Sequence, residues 1–239
     1  MTTLAFDTAT DRCTVAARRG DRVASRIADG SRSHATRILE LIDATLGDVG
    51  ATVRDITRLL TGDGPGSFTG LRVAASVAKG LLWYREVQWL VAPSLLIRAC
   101  GQAPMGGATV LALSDALRGE LYAGCWVIGP DGVTRRGPAP RAMAPGDLAR
   151  FGPVDVVVGS IPAGAVAAVA TITGVPPITG DRSLPDARVL LTMAELPGAT
   201  SVVNDPASWE PEYGRPAEAQ AVWERTHGRP LATAIRPPR

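Results

Sequence analysis

The chemistry-bearing residues of this chain are few, and most known site types fail on counting. The two histidines, His34 and His227, lie far apart, and neither HExxH nor HxxxH occurs. A catalytic zinc usually takes three protein ligands from His, Asp, Glu or Cys, so no metal site is expected. Cys13, Cys100 and Cys125 form no CxxC and read as buried free thiols. The stretch Gly62-Asp63-Gly64-Pro65-Gly66-Ser67 is glycine-rich but lacks the lysine of a GxxxxGK[ST] phosphate loop. It still sets backbone N–H groups at a helix N-terminus, where an anion can bind. The favoured reading of Gly62, Gly64, Pro65 and Gly66 is a tight strand-to-helix turn under close packing. Ser67 is a serine nucleophile only if His34 or His227 is its base, and GPGSFTG is not GxSxG. An N-cap explains Ser67 more simply.

The elements that position these residues follow from composition and pattern. The chain has 239 residues, 46% of them hydrophobic and 20% charged, with 26 Gly and 19 Pro. That is a globular composition rich in turns. A net charge of +2 is too small for a dedicated nucleic-acid neutraliser. The start reads as three strands, 2–6, 13–18 and 22–27, with no signal peptide because Asp7 and Asp11 interrupt any apolar run. Ser31 or Ser33 caps a helix to Leu46, and a second helix spans 68–83. Strands are expected at 58–61, 89–91, 109–113, 121–128, 154–158 and 201–203. Short helices are expected at 93–100, 163–173 and 186–195. Residues 129–145 read as loop, and a last helix starts at Pro216. Residues 156–180 carry no charge. The helical part is about 16 Å long at 1.5 Å per residue, against a bilayer core of about 30 Å. It reads as a buried strand and a buried helix, not a span.

Two strand ends resemble each other. Leu4-Ala5-Phe6-Asp7 and Leu111-Ala112-Leu113-Ser114-Asp115 both run from strand to acid to hairpin. Read as an internal repeat, with chance similarity as the alternative, this is how a two-lobed actin-like fold begins. ATP sites of that fold use a DxG[ST] turn after the first strand. Here the turn is Asp7-Thr8-Ala9-Thr10, with a methyl where a phosphate would approach. Asp7, Thr8 and Thr10 are the candidate nucleotide-binding residues. The expected fold is α/β, an actin-like (ASKHA, ribonuclease-H-like) pair of duplicated lobes. The expected boundaries are 1–103 for the first lobe, 104–216 for the second, and 217–239 for a C-terminal helix and tail returning to the first.

Several motifs occur in one order: DTAT at 7–10, Ser33-His34, GPGSFTGLR at 64–72, Lys79-Gly80-Leu81 and Ala92-Pro93-Ser94-Leu95. Together with DALRGELY at 115–122 and PEYGR at 211–215 they closely resemble the TsaB family. That family belongs to the bacterial machinery forming threonylcarbamoyladenosine in tRNA. The likeness is strong to about residue 100 and looser beyond, and Gly214 stands where the family usually has Leu.

The resemblance implies a cytoplasmic, non-catalytic relative of TsaD. TsaD carries the metal-binding histidines and transfers the threonylcarbamoyl group to the adenosine next to the anticodon. It implies pairing with TsaD, or with a second copy, through a helical bundle that the ATPase TsaE then joins. The tRNA is substrate of the complex, no cofactor is required by this chain, and an adenine nucleotide at the shared interface is allowed. The interface maps to the apolar and small faces of two helices. These are Ala35, Ile38, Leu39, Ile42 and Leu46 on the first, and Phe68, Gly70, Leu71, Ala74, Ala75, Ala78 and Leu82 on the second. The same stripes also read as core, and Leu41 and Thr45 lie off the first. Competing functions are an actin-like ATPase or nucleotide-binding protein, a peptidase, and direct tRNA contact through Arg135, Arg136, Arg141 and Arg150.

Overall fold

The computed structural model describes residues 1–30, 34–214 and 226. The cap at Ser31 or Ser33, the helix from Pro216, Arg215 and His227 lie outside the described residues.

β1 (Thr2–Asp7), β2 (Arg12–Arg19) and β3 (Arg22–Asp29) form an antiparallel meander. α1 (His34–Asp48) then crosses to β4 (Ile56–Gly62), which pairs parallel to β1. α2 (Phe68–Leu82) leads to β5 (Gln88–Ala92), parallel to β4. α1 and α2 form because their apolar residues recur at helical spacing, and that face buries Ile38, Ile42, Leu46, Ala74 and Ala78 in the core of the first lobe.

α3 (Ser94–Gln102) carries the chain into the second lobe. There β6 (Ala108–Asp115), β7 (Leu121–Gly129) and β8 (Gly132–Met143) form another antiparallel meander, with β9 (Val156–Ser160) parallel to β6. α4 (Ala163–Thr173), α5 (Ala187–Met193) and the short β10 (Ser201–Val202) follow. The sheet orders are β10-β5-β4-β1-β2-β3 and β8-β7-β6-β9. In both, the first strand lies between the second and the fourth, so the repeat read from the two acid-ended strands is a repeat of topology. The architecture is α/β and actin-like.

Three expectations are corrected. The strand β8 occupies much of the stretch read as loop. It lies at the sheet edge, where Pro138 and Pro140 leave no central ladder bond unmade. α4 is not a buried helix, for only its Val169 is buried. The second lobe is also not self-contained over 104–216. α5 packs on β1 and β2, and β10 pairs with β5, so the chain has returned to the first lobe by residue 201. Conversely α3 packs against β6, β7 and β9. One apolar cluster, including Leu60, Leu96, Val110, Trp126 and Leu190, therefore spans both lobes.

No described helix is long and apolar enough to cross a membrane.

Candidate functional site

The turn after β1 is closed by its own aspartate. Ala9 N–H donates to Asp7 Oδ1 at 3.0 Å, an Asx-type turn, and Asp7 is fully buried. The Ser94 hydroxyl donates to Asp7 Oδ2 at 2.6 Å and itself accepts from Gly64 N–H at 3.2 Å. Thr8 Oγ1 donates to Gly70 O at 2.7 Å, and Thr10 Oγ1 accepts from Arg12 N–H at 3.1 Å. All three candidate nucleotide-binding side chains are thus bonded within the chain.

The glycine-rich loop lies directly on this turn. A Cβ at Gly62 would run into the Asp7 carboxylate, at Gly66 into Ala9, and at Gly70 into the Thr8 carbonyl. Ser67 N–H donates to Ala9 O at 2.8 Å, Ser67 Oγ accepts from Gly70 N–H at 3.2 Å, and Ser94 N–H donates to Gly64 O at 2.8 Å. The glycines therefore serve close backbone packing, and Ser67 caps α2. Pro65 follows a cis peptide bond and packs against the 201–214 strap, where a Cβ at Gly214 would meet it. That strap also brings Glu212 N–H to Asp63 O at 2.7 Å, and stacks Tyr213 on Phe68 at 4.8 Å between centroids. The Arg72 guanidinium lies over the Phe68 ring at 4.4 Å from its centroid.

One turn along α3, Arg98 is buried between the lobes. Its Nη1 donates to Leu113 O at 3.0 Å and Ser160 Oγ at 3.1 Å, while Nε has no partner. Burial lowers its pKa to about 10, against the pull of Asp7. Neither Arg98 nor the contact of Ser94 with Asp7 was foreseen from the sequence. Ser94 had a signal in its motif, but nothing marks Arg98 among the many arginines.

The two candidate interface helices resolve into separate faces. Ile38, Ile42, Leu46, Gly70, Leu71, Ala74, Ala78 and Leu82 are buried, because those stripes already cover the sheet of their own lobe. They are core residues, and assigning their side chains to a partner interface is corrected here. Leu41 and Thr45 are core as well. Ala75 is half-buried, and for Ala35 only the helical backbone is described. What α1 and α2 leave outside is Leu39, 58% exposed, and Phe68, 42% exposed, followed by Trp83 and Tyr84 beyond α2.

The four arginines of the second lobe do not share one face. Arg135 stands opposite Trp126 and Arg136 opposite Cys125, on alternate sides of the sheet. Burial pushes Cys13 and Cys100 up to about 12 and Cys125 to about 11. Among the described residues no three potential metal ligands gather.

Comparison with known proteins places this geometry. Residues 24–129 match the family model for TsaD, tRNA N6-adenosine threonylcarbamoyltransferase. The chain is 39% identical over 123 residues to the tRNA threonylcarbamoyladenosine biosynthesis protein TsaB of Escherichia coli (strain K12), covering 51% of this chain and 53% of that one. It is 30% identical over 127 residues to TsaB of Bacillus subtilis (strain 168), covering 53% and 55%. The matched stretches span about half the length of these curated relatives. An uncharacterised protein of Mycobacterium tuberculosis (strain ATCC 25618 / H37Rv) is 35% identical over 167 residues, covering 66% of this chain and 72% of its own. Among solved structures, a Pseudomonas aeruginosa protein described as similar to peptidase YEAZ superposes with a TM-score of 0.74 at 26% identity. It covers 90% of this chain and 99% of its own.

Proposed function

The chain belongs to the TsaB family, and from that premise we propose that it is a non-catalytic scaffold subunit of the tRNA threonylcarbamoyladenosine machinery. It pairs with TsaD in the cytoplasm, and TsaE joins the pair. TsaD transfers the threonylcarbamoyl group to the adenosine next to the anticodon.

The observation that carries this reading is the filled turn after β1. The two Asp7 oxygens take Ala9 N–H and the Ser94 hydroxyl, and the chain's own glycines lie where a ligand would approach. Such an arrangement holds a fold together without presenting a reactive group. Ser67, occupied as the α2 cap, fits the same view and speaks against a peptidase nucleophile. The pairing surface is the outer face of α1 and α2, centred on Leu39 and Phe68. An adenine nucleotide at the shared interface is part of the proposal, contributed to by the complex and not required by this chain.

The test is light scattering on a sizing column, with the chain alone and mixed with TsaD of the same organism, with and without ATP. A one-to-one complex is expected, weakened at least tenfold by Leu39→Glu. That variant should keep its stability within about 0.5 kcal/mol, as exposed substitutions do. If no complex forms under any nucleotide condition, the scaffold reading fails. If Leu39→Glu and Phe68→Glu both pair at full strength, the surface is wrong.

A further inference from the structure

Each of the two sheets has two edge strands, and three of these four edges are guarded. β8 carries Pro138 and Pro140, and its register against β7 breaks between Ala123 and Cys125. β9 is bridged at Val158 by Ile178. β10 is two residues long. The fourth edge, β3, has no such guard among the described residues. Its eight residues pair with β2 one to one, without a proline and without a bulge. At about 3.4 Å per residue this edge is about 27 Å long. Val23 and Ile27 stand 54% and 44% exposed on it. Natural sheets normally blunt such an edge, because its unpaired N–H and C=O groups invite another strand.

The direction of the edge groups follows from the hairpin. Just beyond the β2–β3 ladder, Gly30 N–H donates to Asp11 O at 2.8 Å in the same register. Bonds across an antiparallel pair recur at every second residue, so the even-numbered residues of β3 bond inward to β2. Val23, Ser25 and Ile27 turn their N–H and C=O groups outward. Side chains alternate between the faces in the same way. Ala24 and Ala28 pack on the core of the first lobe, and Arg26 reaches Asp48 of α1 at 2.7 Å. Val23, Ser25 and Ile27 therefore share the face turned away from α1.

We propose that β3 pairs antiparallel with β3 of a second copy of this chain, Ser25 opposite Ser25 and Val23 opposite Ile27. A two-fold axis normal to the joined sheet keeps each face on its own side, so odd-numbered residues meet odd and even meet even. In this register every paired arginine meets an alanine, Arg22 against Ala28 and Arg26 against Ala24. Sliding the strands by two residues sets Arg26 against Arg26 in one direction and Arg22 against Arg26 in the other. Like charges directly opposite destabilise a pair. The opposed Val23 and Ile27 cover each other's exposed surface, and the outward groups of these residues exchange ladder bonds. Asp29, beyond the paired stretch, is already held by Arg12 at 2.9 Å. The strand is thus complementary to itself in one register, which singles out a second copy as its partner. This contact leaves the outer face of α1 and α2 open and does not depend on pairing with TsaD.

Sedimentation equilibrium on the full chain across the micromolar range tests this, and a concentration-dependent dimer is expected. Ser25→Pro removes an outward donor that an edge strand can lack, and Ile27→Lys adds the kind of charge that blunts edges. Each should weaken the dimer at least tenfold, with an unchanged unfolding midpoint separating lost pairing from lost folding. Leu39→Glu, on the outer face of α1, should leave it unchanged. Opposed residues of a bonded pair have Cα atoms about 5.5 Å apart, within disulfide range. Under mild oxidation Ser25→Cys should therefore cross-link two chains faster than Arg26→Cys, with the parent chain as control. A parent that stays monomeric overturns the proposal and leaves the edge to an extended segment of another protein. A dimer that survives both Ser25→Pro and Ile27→Lys, or that Leu39→Glu abolishes, also overturns it. So does Arg26→Cys cross-linking as fast as Ser25→Cys.

Discussion

The two lobes begin with the same device and use it differently. At the end of β1, Asp7 Oδ1 takes the N–H of Ala9 at 3.0 Å, and at the end of β6, Asp115 Oδ1 takes the N–H of Leu117 at 2.7 Å. In the first lobe the turn is buried beneath the glycine-rich loop and the cap of α2. In the second, Asp115 is exposed, and the chain passes through Leu117, Arg118 and Gly119 with φ of 64°, 56° and 80°. The same local turn is thus a packed joint in one copy and an open hairpin in the other. What differs is the element laid over it. α2 follows β4 through a loop that permits backbone contact. The exposed α4 follows β9 and leaves the second turn uncovered.

The largest effect should come from adding one methyl to the packed joint. Gly62→Ala drives a Cβ into a buried carboxylate that cannot move away, since Asp7 is held by both Ala9 and Ser94. Overpacking costs about 1–3 kcal/mol where side chains can give. Here a loss of about 3 kcal/mol or more is expected in chemical denaturation. A loss under 1 kcal/mol would show that the joint is loose and the lobes more alike than their burial suggests.

Next in size is the pair of aspartates. Asp7→Ala strands the buried Ser94 hydroxyl and the Ala9 N–H, so about 2–4 kcal/mol should be lost. Asp115→Ala releases one N–H into water and should cost about 1 kcal/mol or less. Equal losses would mean that burial is not what separates the two turns.

Much of this was legible in the sequence, and the exceptions have physical causes. The acid-ended strands, the meanders and both long helices follow from period-2 and period-3.6 patterns. An apolar stripe such as Ile38, Ile42 and Leu46 says that a face is covered, but not by what. Leu39, the exposed residue next to it, looks no different in the sequence. β8 was hidden by Pro138 and Pro140, which break a central strand but are harmless at an edge. α4 carries no charge and yet faces water, because alanine-rich surface is tolerated there, so an uncharged run does not by itself signal burial. Arg98 was invisible because burial of a guanidinium depends on acceptors from β6 and β9, remote in sequence.

The thiols extend the comparison to pH. A buried thiol with a raised pKa binds a proton that the unfolded chain has already released. Stability is therefore complete below about pH 9, the ordinary thiol value, and falls as pH rises towards the folded value. Cys13 in the first lobe rises to about 12 and Cys125 in the second to about 11. Between pH 9 and 10, each should remove about 1 kcal/mol. The Cys13→Ala and Cys125→Ala variants should each show a shallower alkaline decline than the parent. Calorimetric unfolding across pH 8–10.5 reads this, and parallel declines in parent and variants would show that the thiols ionise freely.

The smallest effect belongs to the open hairpin. Leu117 is 66% exposed and holds a left-handed φ of 64° without the freedom of glycine. Such a residue costs about 1 kcal/mol, which Leu117→Gly would recover. Glycine also widens the unfolded ensemble, at about 0.4–1 kcal/mol. The two terms nearly cancel, so the net change should stay within about 0.5 kcal/mol by denaturant titration. A gain above 1 kcal/mol would mean that the second turn is held under strain, as a joint is, and that the contrast between the lobes lies in what covers the turn and not in how firmly it is set.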